Sequence, residues 1–323
     1  GVRPNPEIDF VRENIYQIRE FKPDFILAIG GGSVIDTAKL IACVYDYDGD
    51  LFDFNSHKSK PTKALPIGVI LTISAAGSEM STSCVIQNDR TGRKAGFNSE
   101  LVRPVFAIEN PALTYSVSPY QTACGIVDIM MHTLERYMQP SSENEPADGF
   151  AEALLKSVIK AGQKVMRNPE DYESRAVLML MSSLSHNGLT NIGKPHGMPV
   201  HQLEHGLSGM YKTIAHGAGL AVLWPAWAKY YVQYDVDKFD QYARNVWNLQ
   251  NIDKKENALQ GIKLTEEFFR YIGMPSRLME FKVGAIDIDG LINRLTDNGT
   301  RVVAHPVKPL DGEVARIIYN SCL

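Results

Sequence analysis

The sequence predicts an α/β fold in two parts: an N-terminal parallel-sheet region without its first strands, then an all-helical region. Two observations predict it. Up to about residue 115, short apolar runs alternate with glycine turns and a helical stretch, the pattern of a parallel sheet with crossover helices. From about Pro119 onward the β-branched runs stop, and segments of 3.6-residue periodicity continue to the C-terminus. The boundary falls within 110–119, which divides the chain into residues 1–115 and 116–323.

In order, Phe25-Ile-Leu-Ala-Ile29 reads as a buried strand, Gly30-Gly31-Gly32 as a turn and 33–45 as a helix. Residues 67–72, 84–87 and 105–108 are further strands, each bounded by Pro, Gly, Asn or charge. Four strands are fewer than the roughly six of a doubly wound nucleotide-binding sheet. The sheet therefore reads as incomplete at its start. Helices are predicted at 120–137, 147–166, 172–188, 200–210, 217–232, 238–246, 255–272 and 287–298. Asp311 is placed to cap a last helix that ends near Cys322.

Composition excludes several function classes. The chain has 323 residues, 44% of them hydrophobic, which is enough for one or two cored domains. With 33 basic and 37 acidic residues the net charge is −4, and no long basic run marks a nucleic-acid partner. No apolar stretch approaches the roughly 20 residues of a membrane span. Cys43, Cys84, Cys124 and Cys322 are far apart and form no CxxC pair, which argues against a zinc ribbon or a disulfide scaffold. A reducing, cytoplasmic setting follows. The chain opens on Gly1 rather than Met, so a start segment is expected to be missing.

Two clusters carry chemistry. Gly30-Gly31-Gly32-Ser33 lies between strand and helix, where the backbone can approach a ligand and the free N–H groups attract phosphate. It is not the GxGxxG fingerprint, and a plain tight turn would look the same. The second cluster is richer. Asp128 and His132 are four apart on a predicted helix, which puts both on one face. His201 and His205 repeat the spacing, and His216 follows at a probable helix start. One such pair is an ordinary surface pattern. Two pairs plus His216 point to a metal site, and an Asp with imidazoles suits Zn²⁺ or Fe²⁺ better than Mg²⁺ or Ca²⁺. His57, His186 and His305 read as structural or surface residues, while His196, between Pro195 and Gly197, is open to either reading.

With these motifs in hand, the chain resembles the iron-containing (group III) alcohol dehydrogenase family, in particular its butanol dehydrogenase-like branch. The landmarks run from end to end: Pro4-Asn-Pro6, Gly30-Gly-Gly-Ser-Val-Ile-Asp-Thr-Ala-Lys39, Gly77-Ser-Glu79 and Gly125-Ile-Val-Asp-Ile-Met-Met-His132. Ala151-Glu-Ala-Leu-Leu155, His201-Gln-Leu-Glu-His-Gly-Leu-Ser208 and Ala215-His-Gly-Ala-Gly-Leu220 complete them. The resemblance implies an NAD(P)-binding α/β domain and an all-α metal and substrate domain. It implies Fe²⁺, with Zn²⁺ as the alternative, held by Asp128, His132, His201 and His216. His205 would handle the proton beside the metal. Asn5, Gly31, Gly32, Ser33, Asp36, Thr72, Ser81 and Lys94 would contact NAD(P), with Asp36 and Lys94 orienting the nicotinamide and its ribose. The implied reaction is hydride transfer between NAD(P)H and a small aldehyde or alcohol in a cytoplasmic homodimer, with no nucleic-acid or membrane partner.

Three departures from the family pattern stand out. Ala76 replaces the usual Thr before Gly-Ser-Glu and removes a hydroxyl, and Asn110-Pro111 replaces Asp-Pro. The stretch from His205 to His216 is one residue longer than in many relatives, so the loop at 210–215 is expected to be reshaped. The family's opening segment, which senses the adenosine 2′ position, is absent here, and NADH versus NADPH preference is not legible. Two competing functions are a dehydroquinate synthase-like NAD- and metal-dependent lyase and a non-catalytic truncated remnant. The lyase needs clustered Lys and Arg at the substrate, where the metal helices offer Arg136 and Lys212. The retained Asp/His set argues against the remnant.

Overall fold

A computed structural model of the chain describes residues 1–140, 145–195 and 197–323. The N-terminal region runs α1 (Ile8–Phe21), β1 (Ile26–Gly30), α2 (Gly32–Val44), β2 (Ile67–Leu71), β3 (Ser83–Asn88), β4 (Arg93–Asn98) and β5 (Phe106–Ile108). β1, β2 and β5 form a parallel sheet in the order β1-β2-β5, with Ile26 opposite Ile67 and Gly68 opposite Phe106. α2 covers one face, where Ala28, Ile35, Ala38, Ala42, Val69 and Leu71 pack together. On the other face Leu27, Ile29, Phe106 and Ile108 are exposed.

The structure corrects the strand reading in two respects: β1, read as a buried strand, leaves Leu27 and Ile29 exposed, and one strand belongs elsewhere. The 84–87 strand is not part of the parallel sheet; as β3 it pairs antiparallel with β4, Cys84 opposite Phe97. The turn between them is local chemistry. Asn88 Oδ1 accepts from the N–H of Arg90 at 3.1 Å, and Gly92 takes φ +64°. β4 itself lacks an apolar run: in Arg93-Lys-Ala-Gly-Phe-Asn98 only Phe97 is fully buried, so periodicity alone misses it. α1 is likewise unpredicted, although its buried residues Ile8, Val11 and Ile15 fall on one face.

The helical region contains α3 (Pro119–Tyr137), α4 (Glu145–Val165), α5 (Tyr172–His186), α6 (Pro199–Met210), α7 (His216–Tyr231), α8 (Val236–Trp247), α9 (Lys254–Tyr271), α10 (Ile288–Thr296) and α11 (Gly312–Ser321). Each matches a predicted segment, with ends shifted by one to a few residues. Their apolar faces share one core that includes Trp224, Trp227, Tyr242 and Phe269. Full burial of such side chains contributes about 1.5–3 kcal/mol each.

The helix starts divide into two kinds. Ser118, Asp171, Asp235, Asp253, Asp287 and Asp311 cap α3, α5, α8, α9, α10 and α11, each accepting from a first-turn N–H. A cap of this type contributes about 1 kcal/mol. α6 begins at Met198 and α7 at Ala215, and neither has a side-chain cap of its own. α1, after Glu7, and α2, after Gly31, have none either.

α5 joins the two regions. Ser182 Oγ accepts from the N–H of Ala75 at 3.1 Å, and Ser183 Oγ donates to Glu79 at 2.6 Å.

Candidate active site

A cavity of about 1170 Å³ lies between the regions. Three helix starts without a side-chain cap reach it: Gly31 to Ser33 of α2, Met198 before α6, and Ala215 to Gly217 at α7. Their positive dipole ends converge on the space where an anionic or electron-rich ligand would sit.

On the α/β side, Gly31 sits where a Cβ would run into the Ile73 side chain, so the turn closes against the following loop only with glycine there. Asp36, one turn into α2, accepts from Ser78 Oγ at 2.5 Å and from the N–H of Val85 at 2.8 Å. Burial raises its pKa, against the pull of Lys39. The buried Lys39 ammonium donates to the carbonyl oxygens of Ser81 (2.9 Å) and Ser83 (2.8 Å) and ties α2 to β3. Lys94, on the unpredicted β4, donates to Asn5 Oδ1 and Ser208 Oγ, both at 3.3 Å, and stands 3.8 Å from Glu204. It is therefore a buried link between the regions, not a solvated turn charge.

Asn5, Gly31, Gly32, Ser33, Asp36, Ser81 and Lys94 thus all line the cavity. Thr72 does not. It ends β2 with its N–H on the carbonyl of Gly30, and Ile73 takes the place on the wall. A strand-end threonine and its neighbour point to opposite sides, so sequence proximity to the turn does not decide which one faces the ligand.

On the helical side, α7 packs against both α3 and α6. A Cβ on Gly217 would collide with the backbone carbonyl of Cys124, so glycine lets the α7 start press onto α3 and brings His216 to Asp128. Asp128 Oδ1 becomes the centre of three imidazoles: His132 Nδ1 at 3.1 Å, His201 Nε2 at 3.5 Å and His216 Nε2 at 3.8 Å. Asp128, His201 and His216 present three donor atoms within 4.8 Å of one another. His132 stands beside this trio, its Nδ1 2.9 Å from the Asp128 carbonyl and its ring tilted against His186 with centroids 4.2 Å apart. His205 also lines the cavity, with its ring 6.4 Å from His201 and 5.7 Å from His216. His196, which the sequence leaves open to either reading, lies outside the described residues.

The electrostatics are tightly coupled. Burial would raise the Asp128 carboxyl, but His132, His201 and His216 outweigh it and hold the group well below the usual range. Burial depresses His201 too, yet Glu135 and Asp128 lift it to about 9. His132 is pushed down to about 4 by burial, against Asp128. His205 is driven well below its ordinary value by burial, with Lys94 and His216 adding to it. His205 is thus a neutral imidazole at pH 7.

The site includes acids that sequence reading did not single out. Glu135 and Glu204, both fully buried, bind the Nδ1 atoms of His201 and His216 respectively. The signal was present: Glu135 follows Asp128 by two helical turns and Glu204 follows His201 by three residues, so both lie near the ligand faces. His186, read as structural or surface, also reaches the cavity wall.

The residues fit a metal ion. Asp128 Oδ1 and His201 Nε2 are buried without a hydrogen-bond partner among the described residues, an arrangement costing several kcal/mol unless something else meets those atoms. One carboxylate oxygen and imidazole nitrogens suit Fe²⁺ or Zn²⁺.

Comparison with known proteins agrees. Residues 1–111 match the family model described as iron-containing alcohol dehydrogenase, and 122–321 match the C-terminal model of the Fe-containing alcohol dehydrogenase family. The chain is 42% identical to NADH-dependent butanol dehydrogenase A of Clostridium acetobutylicum, over 99% of this chain and 82% of that protein. It is 34% identical to the NADPH-dependent aldehyde reductase YqhD of Escherichia coli, over 99% of this chain and 83% of that one. The crystal structure of a butanol dehydrogenase A from Thermotoga maritima superposes with a TM-score of 0.94 at 32% identity, covering 100% of this chain and 82% of that one. The chain belongs to the iron-containing alcohol dehydrogenase family.

Proposed function

We propose that the cavity is the active site of a butanol dehydrogenase-like enzyme, with Asp128, His132, His201 and His216 holding the metal. The chain is a metal-dependent oxidoreductase that moves a hydride between NAD(P)H and a small alcohol or aldehyde. The observation that carries the ligand assignment is the pair of orphaned buried atoms, Asp128 Oδ1 and His201 Nε2, facing each other with His216 Nε2 close by. When bound, Fe²⁺ (or Zn²⁺) supplies Lewis acidity toward the substrate oxygen, and NAD(P)H supplies the hydride.

The chain's own residues do the rest. Asp128, His132, His201 and His216 would hold the metal on the helical wall, where it would meet the substrate oxygen. Gly31, Gly32 and Ser33 receive the cofactor phosphates on backbone N–H groups at the α2 start, and Asn5, Asp36, Ser81 and Lys94 line the approach to it. His205, held neutral, accepts or returns the alcohol proton at an imidazole nitrogen and passes it towards solvent. The domain division at 115/116 follows the same logic, with the cofactor wall on one side and the metal wall on the other.

A phosphorylated-sugar lyase is not favoured, since Arg136 donates to the carbonyls of His132 and Ser185 and Lys212 pairs with Glu7 and Asp89. Four free, buried cysteines support a reducing, cytoplasmic setting, and among the described residues no helix is long and apolar enough to cross a membrane. The homodimer rests on family resemblance, and light scattering checks it. For the activity, protein purified without oxygen is assayed for metal and for NADH or NADPH oxidation with butanal. About one Fe or Zn per chain with aldehyde-dependent turnover is expected. Turnover without metal, or metal lost from neither His201→Ala nor His216→Ala, overturns the ligand assignment.

A further inference from the structure

We propose that Glu135 and Glu204 are positioning residues, each fixing one metal-facing histidine by its far ring nitrogen. The inference rests on the metal reading above and extends it to residues outside the ligand set. In His201 the Nδ1 atom is bound to Glu135 Oε2 while Nε2 faces Asp128 Oδ1; in His216 the Nδ1 atom is bound to Glu204 Oε2 while Nε2 faces the same oxygen. The two rings are therefore held the same way. A carboxylate that accepts the Nδ1–H hydrogen bond keeps the proton on Nδ1 and so leaves Nε2 as the nitrogen that can meet a metal at the point both rings share.

The surroundings of the two acids favour this role over simple fold stabilisation. Both side chains are fully buried, and burying a carboxylate costs several kcal/mol unless it is met by well-placed donors. Among the described residues the only basic side chain within ion-pair distance of Glu135 is His201 itself. Its other oxygen accepts the N–H of Val200 at 2.5 Å, which supplies the cap that α6 lacks from its own Met198. Glu135 thus holds the start of α6 with one oxygen and the His201 ring with the other. Glu204 meets His216 and, at 3.8 Å, Lys94 of β4. Its arrangement couples the α/β wall to the orientation of His216.

The test is a competitive Zn²⁺ titration of metal-free protein, which reads affinity without turnover. Glu135→Gln and Glu204→Gln are compared with wild type, with His201→Ala and His216→Ala, and with the two matched double variants. Asp148→Asn serves as a control, because Asp148 is a buried acid that pairs with Lys194 and Lys238 away from the cavity. Loss of such a supporting carboxylate typically weakens metal binding about 10–100-fold. That loss is expected in both Gln variants and not in Asp148→Asn. It should vanish when the partner histidine is already alanine, since each Glu acts through its ring. Wild-type affinity in folded Gln variants overturns the proposal, and so does a loss that persists undiminished in the His→Ala background. If a Gln variant does not fold, the Asp variant at that position undergoes the same cycle, with a smaller loss and the same coupling expected. A wild-type protein that binds no Zn²⁺ overturns the metal reading itself; metal lost from the His variants but kept by the Glu variants overturns only the positioning role.

Discussion

The wall that α2 presents to the cavity and the wall that α3, α6 and α7 present are made of different groups. At α2 the chain offers backbone: Gly31 and Gly32, and a helix start without a side-chain cap. At the helical wall it offers side chains, a carboxylate ringed by imidazoles and backed by buried glutamates. Yet α6 and α7 share with α2 the missing side-chain cap, while six other helices of the C-terminal half carry one. The contrast shows two ways of exposing polar capacity to a ligand. One leaves main-chain N–H groups open, and the other buries side-chain lone pairs that a cation can meet.

The largest expected effect is at the side-chain wall. His216→Ala and Asp128→Asn should each lower metal content from about one per chain towards zero in elemental analysis, and activity with it. His132→Ala should lose less, because its Nδ1 also meets the Asp128 carbonyl and the three donor atoms within 4.8 Å of one another come from Asp128, His201 and His216. Equal metal loss in all three would show that the ring arrangement tightens around the ion until His132 is a full ligand.

His205→Ala is expected to keep the metal and lower kcat about 10²–10⁴-fold, the usual loss for a group that handles the proton. Metal analysis beside a pH–rate profile checks this. If His205→Ala loses metal while His201→Ala keeps it, the roles of the two rings are exchanged; His205, Glu204 and His216 also lie close enough to form a donor set.

The backbone wall should respond to bulk rather than charge. Gly31→Val is expected to raise the Kd for NAD(P)H at least about tenfold, or about 1.4 kcal/mol. Fluorescence titration measures it. Its Cβ would also press on Ile73. Gly31→Val with Ile73→Ala therefore separates two causes: relief of that clash restores stability, but affinity stays weak if the blocked backbone is what matters.

The smallest effect lies away from both walls. His305 is buried against Trp227 and Tyr231, with no hydrogen-bond partner for either ring nitrogen among the described residues, and burial pushes its pKa down to about 4. The unfolded chain, with a value near 6.5, then binds more protons in that window. Its contribution is fully present above about pH 6.5 and falls as pH drops towards 4, by about 1.4 kcal/mol per unit at most. Urea unfolding of wild type and His305→Leu at pH 7 and pH 5 should show a steeper acid loss in the wild type.

Local rules determined much of this protein. The nine helices described from Pro119 onward were legible because each has its own apolar period, and most have a Ser or Asp cap. The glycine turn and the Asp/His spacings were legible for the same reason: helix geometry puts residues four apart on one face. What lies between elements was not. β3 and β4 pair with each other rather than with the parallel sheet because of the Asn88–Gly92 turn and Lys39 contacts, and no period encodes that choice. Thr72 and Ile73 exchange places on the cavity wall because a strand end faces two ways. The convergence of Asp128, His201 and His216 depends on α7 pressing onto α3 at Gly217, some 90 residues away in sequence. Glu135 and Glu204 looked like ordinary helix acids until packing enclosed them. Sequence set which side chains could share a helix face, and tertiary packing decided which faces met, because removal from water is what turns a carboxylate from a solvated charge into a group that must find a partner.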